Sequence, residues 1–199
     1  MSNLAYHFGK GLYLNVTNRC TNACSFCIRN GHDTVGDSDV LWLTSEPTAD
    51  ELWNALLQEL LPETEEIVFC GYGEPLMRYD VVLELCRRIR AHCTLPIRIN
   101  TNGHGDLISG QSLAPQLRGL VDVVSISLNA PNAARYDEIC APVYSNAYDA
   151  VLAFAVSCKE FVPTVCFSVV DQPLTQCEIA ACQEVSDRLG IPLRVRAFE

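Results

Sequence analysis

The chain has 199 residues, 49% of them hydrophobic, at a mean hydropathy of +0.12, which suits one folded domain with a sizeable core and excludes a disordered segment. Fourteen Lys and Arg against 24 Asp and Glu leave a formal charge of −10, the wrong sign for displacing counterions from a phosphate backbone. Neither nucleic acid nor an anionic membrane is therefore expected as a partner.

The opening MSNLAYHFGKGLYLNV lacks the basic start and apolar run of a signal peptide, and no later run approaches the ~18 apolar residues of a membrane span. Cys86, Cys158, Cys166 and Cys182 fall within regular apolar patterns rather than a disulfide framework. A cytoplasmic protein with reduced thiols is expected.

Six strand-like runs follow in order: 12–16, 67–70, 97–100, 123–128, 165–170 and 193–196. Between them lie helical patterns at 48–61, with Thr48 and Glu51 spaced as a capping box, then 79–92, a short 113–119, 132–139, 147–160, and 174–189 ended by Gly190. Strand–helix alternation predicts an α/β fold of six parallel strands with right-handed crossovers. No repeat or linker interrupts it, so residues 1–199 are expected to form a single domain. The long irregular stretch 28–47 is either a functional loop or an ordinary surface excursion.

Along the strands the side chains alternate. Leu12, Leu14, Val16, Ile97, Ile99, Val124, Ile126, Leu128, Val165, Phe167, Val169, Leu193 and Val195 share a face suited to covering helices. Tyr13, Asn15, Thr17, Arg98, Asn100, Ser125, Ser127, Asn129, Ser168, Arg194 and Arg196 share the other. A doubly wound sheet is apolar on both faces. A polar second face predicts instead an incompletely closed barrel with a ligand-holding lumen.

Directly after the first run come Cys20, Cys24 and Cys27, a C-x3-C-x2-C spacing in a loop at a strand's C-terminal end. Three thiolates so placed suit a cubane cluster with one iron left open, whereas structural zinc takes four protein ligands. A zinc site completed by His32, or three core cysteines, is the alternative. After the second run comes Gly71-Tyr72-Gly73-Glu74-Pro75, where glycines permit close backbone approach and Glu74 can accept from a ligand ammonium.

Together and in this order, the two motifs resemble those of the radical S-adenosylmethionine (SAM) superfamily. The resemblance implies a partial (β/α)6 TIM-like barrel, a [4Fe–4S] cluster on Cys20, Cys24 and Cys27, and SAM on the open iron. Phe26 would pack near adenine, and Gly71, Tyr72, Gly73 and Glu74 would contact the methionine amino group, with Tyr72 departing from the family's glycine. Thr101, Asn102, Ser127 and Asn129 match places where family members touch the methionine and ribose. More narrowly, NVTNRCTNACSFCIRN, FCGYGEP and INTNG resemble the small radical SAM proteins associated with TatD-type nucleases, which implies a functional link to such a nuclease.

The implied function is reductive cleavage of SAM to a 5′-deoxyadenosyl radical that takes hydrogen from a substrate, with a flavodoxin- or ferredoxin-like electron donor. No second close-spaced cysteine set suggests auxiliary clusters. A glycyl-radical-enzyme activase, or a non-catalytic iron–sulfur carrier or sensor, is the alternative. Arg98, Arg194 and Arg196 share the polar face, and Arg29 and Asn15 lie beside the cysteine loop, so a small anionic substrate is expected there, unless these arginines are structural. The 28–47 loop, with Trp42 near its end, is a candidate lid.

Overall fold

A computed structural model describes residues 4–34 and 40–198. It is a seven-stranded sheet with helices on its outer face. The elements are β1 (Ala5–Phe8), β2 (Gly11–Leu14), α1 (Ala49–Glu59), β3 (Glu66–Phe69), α2 (Tyr79–His92), β4 (Ile97–Thr101), α3 (Gly105–Ser109), β5 (Val123–Ser127), α4 (Ala133–Cys140), α5 (Ala147–Cys158), β6 (Thr164–Val170), α6 (Gln176–Leu189) and β7 (Leu193–Arg196). The strands run β1 to β7 in sequence order across the sheet. All neighbours from β2 onward are parallel, as the alternation predicts.

Strand β1 is an addition to the expected six, pairing antiparallel with β2 so that Tyr6 faces Tyr13. The turn between them is two residues long and needs positive φ at its first position, which Gly9 supplies at +59°. Thr48 and Thr175 each close a capping box, with Glu51 and Glu178, at the starts of α1 and α6, and Gly190 ends α6 in the left-handed region at φ 60°. The expected helix at 113–119 is one 3-10 turn, Ala114–Leu117, with Pro115 at its start.

The core lies between the sheet's outer face and the helices. Leu12, Leu14, Ile97, Ile99, Val124 and Ile126 are fully buried there, each burial contributing ~1.5–3 kcal/mol. At the free edge the expectation fails: Val195 is 48% exposed, because β7 is the edge strand of the sheet among the described residues. The inner face lines a cavity of about 530 Å³. Among the described residues no helix is long and apolar enough to cross a membrane.

Candidate active site

The chain leaves β2 through buried Asn15, Val16 and Thr17 and enters the cysteine loop at the C-terminal mouth of the sheet. Cys20, Cys24 and Cys27 all line the cavity, and so does Phe26. The loop is braced on α4: the Ala23 and Ser25 amides donate to the Cys140 and Ile139 carbonyls, each at 2.9 Å, and Val143 N–H reaches the Thr21 carbonyl at 2.9 Å. A buried polar network completes the brace. Asn102 Nδ2 donates to Thr21 Oγ1 at 2.8 Å, Thr21 Oγ1 lies 2.8 Å from His104 Nδ1, His104 Nε2 is 3.3 Å from Tyr136 Oη, and Asn22 Nδ2 donates to that hydroxyl at 2.9 Å. Burial lowers the pKa of His104 to about 4, so its ring is neutral.

Burial, and then the charge of Glu74, pushes the Cys20 thiol up to about 11. Burial also raises Cys27, and a hydrogen-bonding contact with the Cys140 thiol is the first cause of a raised Cys24. Cluster binding must therefore release protons here. Among the described residues no three His, Cys, Asp or Glu side chains converge on one point as a mononuclear ion requires. A cubane asks for less, since each thiolate takes its own iron, and three thiols spread around one cavity fit that donor set.

The Gly71–Pro75 turn follows β3 and packs against the chain leaving β2. A Cβ on Gly73 would lie 2.2 Å from the Thr17 carbonyl oxygen, so that position requires glycine for close backbone approach, and one on Gly71 would lie 2.1 Å from Asn15 Oδ1 and displace that side chain. Tyr72, where the family pattern has glycine, is buried; its hydroxyl donates to the His32 carbonyl at 2.6 Å and its ring meets Trp42 edge-on at 5.1 Å.

Glu74 is buried, and three protein donors reach its carboxylate. Leu76 N–H at 3.0 Å and the Thr101 hydroxyl at 2.7 Å share Oε1, while Asn102 N–H at 2.6 Å takes Oε2. Glu74 thus ties the turn to the end of β4 and keeps acceptor capacity on Oε2 toward the cavity it lines. Despite these bonds, burial raises its pKa to about 7.

Thr101, Asn102, Ser127 and Asn129 also line the cavity. Asn129 adopts φ 58° and donates from Nδ2 to Cys140 Sγ at 3.6 Å. Its Oδ1, with those of Asn22 and Asn100, is buried without a hydrogen-bond partner among the described residues. Three orphaned acceptors around one cavity call for a ligand rich in donors, such as an ammonium and ribose hydroxyls. Asn22, Asn100, Cys140, His104 and Tyr136 were not singled out as site residues by motif reading, because their roles arise from packing between distant elements.

The expected substrate residues divide. Arg194 and Arg196 line the cavity and form no ion pair among the described residues. Arg98 lines it too, but Glu66 at 2.6 Å and the Tyr13 hydroxyl at 3.0 Å take its Nη2. Asn15 and Arg29 are not among the lining residues. Asn15 donates to the Leu41 carbonyl at 2.6 Å, and Arg29 to the Asn18 and Tyr72 carbonyls at 3.2 and 3.3 Å. Of the 28–47 stretch, residues 35–39 lie outside those described, and among the described ones only Ile28 lines the cavity. Residues 41–46 are fastened down: Asn18 exchanges two hydrogen bonds with Leu43, and Glu46 pairs with Arg19 through both carboxylate oxygens, at 2.6 and 3.0 Å. This part of the loop braces the exit from β2 rather than standing free as a lid.

Comparison with known proteins agrees with this fold. A probable GTP 3′,8-cyclase of Methanocaldococcus jannaschii is 29% identical over 131 residues, which are 65% of this chain and 40% of that protein. The chain thus spans about 40% of that relative's length. Likeness of fold extends to Streptococcus suis SuiB bound to SAM, with a TM-score of 0.68 at 16% identity over 96% of this chain and 41% of that one. HydG, a maturase of the [FeFe]-hydrogenase, has a TM-score of 0.67 at 13% identity over 95% of this chain and 42% of its own. The profile of the radical SAM superfamily matches residues 14–181, from the end of β2 into α6. The chain therefore belongs to the radical SAM superfamily, whose members use a [4Fe–4S] cluster and SAM.

Proposed function

We propose that this chain, acting as a single domain, is a radical SAM enzyme whose cluster sits on Cys20, Cys24 and Cys27 and whose substrate is a small anion. The observation that carries the reading is that the three thiols, Glu74 and the orphaned oxygens of Asn22, Asn100 and Asn129 all border one cavity. When bound, the cluster and SAM would supply one-electron reductive cleavage of SAM to methionine and a 5′-deoxyadenosyl radical, which would take a hydrogen atom from the substrate.

The chain's own residues hold and orient. Three cysteines would hold the cluster and leave one iron for the SAM amino and carboxylate groups. Glu74 Oε2 would accept from that ammonium, whose positive charge would offset the burial that raises the carboxyl's pKa. Phe26 would pack near the adenine, Gly71, Tyr72 and Gly73 would bring backbone close to the methionine, and Thr101, Asn102, Ser127 and Asn129, which line the same cavity, would border the cofactor. Arg194 and Arg196, which line the cavity, would face the substrate. Asn15, Arg29 and Arg98 support these positions through the hydrogen bonds above.

A flavodoxin- or ferredoxin-like donor would supply the electron, and eleven free cysteines support a reducing, cytoplasmic setting. The likeness of the cysteine run to TatD-nuclease-associated proteins supports that subgroup and a functional link to such a nuclease. The test is anaerobic reconstitution followed by EPR of the reduced cluster. Adding SAM should change the spectrum of the wild type, and an unchanged spectrum at full cluster loading would refute an open, cofactor-binding iron.

A further inference from the structure

The two edges of the open barrel, β1 and β7, border the same cavity with unlike chemistry. On one side stands an aromatic wall. Tyr6 and Tyr13 are cross-strand partners with ring centroids 5.3 Å apart, and Phe8 meets Tyr13 edge-on at 5.8 Å. Tyr6 is buried, its hydroxyl donating to the Cys70 carbonyl at 3.3 Å, while Phe8 at the rim is 40% exposed. From the other side Arg194, Val195, Arg196 and Phe198 line the cavity, and Phe198 is 46% exposed. Cys70, whose carbonyl accepts from Tyr6, lines the same cavity as the β7 residues.

Charge and position together distinguish the β7 pair. In a chain of net charge −10, Arg19, Arg78, Arg88, Arg90, Arg98 and Arg135 have carboxylate partners, while Arg29, Arg87, Arg118 and Arg188 have none among the described residues but do not line the cavity. Arg194 and Arg196 have none among the described residues, yet both border the cavity. Guanidinium forks left free beside a concave site suit phosphate or carboxylate oxygens. Aromatic rings lining the same cavity, with Phe8 exposed at the rim, suit the face or edge of another ring.

We propose that this region is a substrate subsite for a planar aromatic ring bearing a phosphate or carboxylate, the ring against Tyr6, Phe8 and Tyr13 and the anion on Arg194 and Arg196. The proposal rests on the reading that SAM occupies the region of Glu74 and the cysteine loop. A cavity of about 530 Å³ is within the ~300–1,000 Å³ usual for small-molecule sites. Arg98, on the same face, is instead paired with Glu66 and donates to the Tyr13 hydroxyl, anchoring Tyr13 in the wall.

The test is calorimetric titration of the anaerobically reconstituted protein with guanosine 5′-monophosphate and, separately, indole-3-acetate. Guanosine and ribose 5-phosphate supply the ring alone and the anion alone. At least one aromatic anion should bind at least tenfold more tightly than guanosine or ribose 5-phosphate, phosphate or carboxylate preference being read from which one does. It should bind equally well when S-adenosylhomocysteine saturates the protein. Arg194→Gln with Arg196→Gln, on an exposed edge strand, should weaken it at least tenfold, and the single variants should each weaken it less. Binding by neither aromatic anion, equal binding of ribose 5-phosphate, competition by S-adenosylhomocysteine, or undiminished binding by the folded double variant overturns the proposal. Failure of S-adenosylhomocysteine to bind while an aromatic anion does bind would instead sink the cofactor assignment and leave this subsite standing.

Discussion

Replacing Glu74 with Gln separates its two roles. The amide oxygen can keep Leu76 N–H and the Thr101 hydroxyl, but its NH₂ then faces Asn102 N–H where a carboxylate oxygen accepts at 2.6 Å. A buried donor left without an acceptor costs about 1–3 kcal/mol. Against this stands the cost of burying a charge. Because burial raises the Glu74 pKa from 4.5 to about 7, the stability its protonated form contributes is full below pH 4.5 and lost as pH rises through about 7. That loss amounts to at most ~3 kcal/mol, and the amide does not share it. Urea unfolding should therefore show Glu74→Gln destabilised by about 1–3 kcal/mol at pH 5 and by less at pH 8. SAM affinity behaves differently: at pH 8 the variant should lose about 1–3 kcal/mol of binding, because the charge-assisted bond to the ammonium is gone. Equal affinity at pH 8 would refute a cofactor contact and leave Glu74 as a brace. A larger destabilisation at pH 8 than at pH 5 would refute the raised pKa.

Cys24→Ala should hold no cluster after anaerobic reconstitution, whereas Cys86→Ala, altered in the buried face of α2, should keep about four irons per chain, and iron assays near eight would contradict a single cubane. Gly73→Ala places a methyl 2.2 Å from the Thr17 carbonyl oxygen and 2.6 Å from that of Arg19, so it should cost about 1–3 kcal/mol or more and lower iron loading. Gly31→Ala, with nothing within 4 Å, serves as the neutral control, and indistinguishable urea midpoints would refute the close-approach argument. His104, buried with its pKa lowered from 6.5 to about 4, contributes stability that is full above pH 6.5 and is lost as pH falls through about 4. The stability gap between wild type and His104→Asn should accordingly shrink by up to ~3 kcal/mol over that window, and a gap independent of pH would argue that the ring is solvated.

Much of the fold was legible because its strands announce themselves twice, by apolar runs on the helix side and by polar residues at alternate positions on the cavity side. The capping boxes and the Gly190 stop are equally local signals. Strand β1 was not legible: its four residues become a strand through pairing with β2 and a positive-φ turn at Gly9, neither of which leaves a periodic pattern. Helix α3 has five residues and begins on glycine, so propensity argues against it, and its place is set by burial of Gly105 against Leu76 and Phe154. At the site, close spacing exposed the three cysteines and the Gly71–Pro75 turn. The double role of Glu74, the His104–Tyr136 brace and the Cys140 contact join residues 27 to 116 positions apart, and no local spacing encodes such pairs. Tyr72 teaches the converse: at a position where the family pattern has glycine, its side chain turns away from the turn and anchors His32 and Trp42.

The central claim is that this cavity joins a cluster on Cys20, Cys24 and Cys27 to SAM for radical chemistry. Anaerobic incubation of the reconstituted protein with SAM and dithionite, followed by quantification of 5′-deoxyadenosine, tests it most directly. The account predicts 5′-deoxyadenosine from the wild type and none above background from Cys24→Ala. No 5′-deoxyadenosine from wild-type protein carrying about four irons would contradict it and return the chain to the class of iron–sulfur carriers.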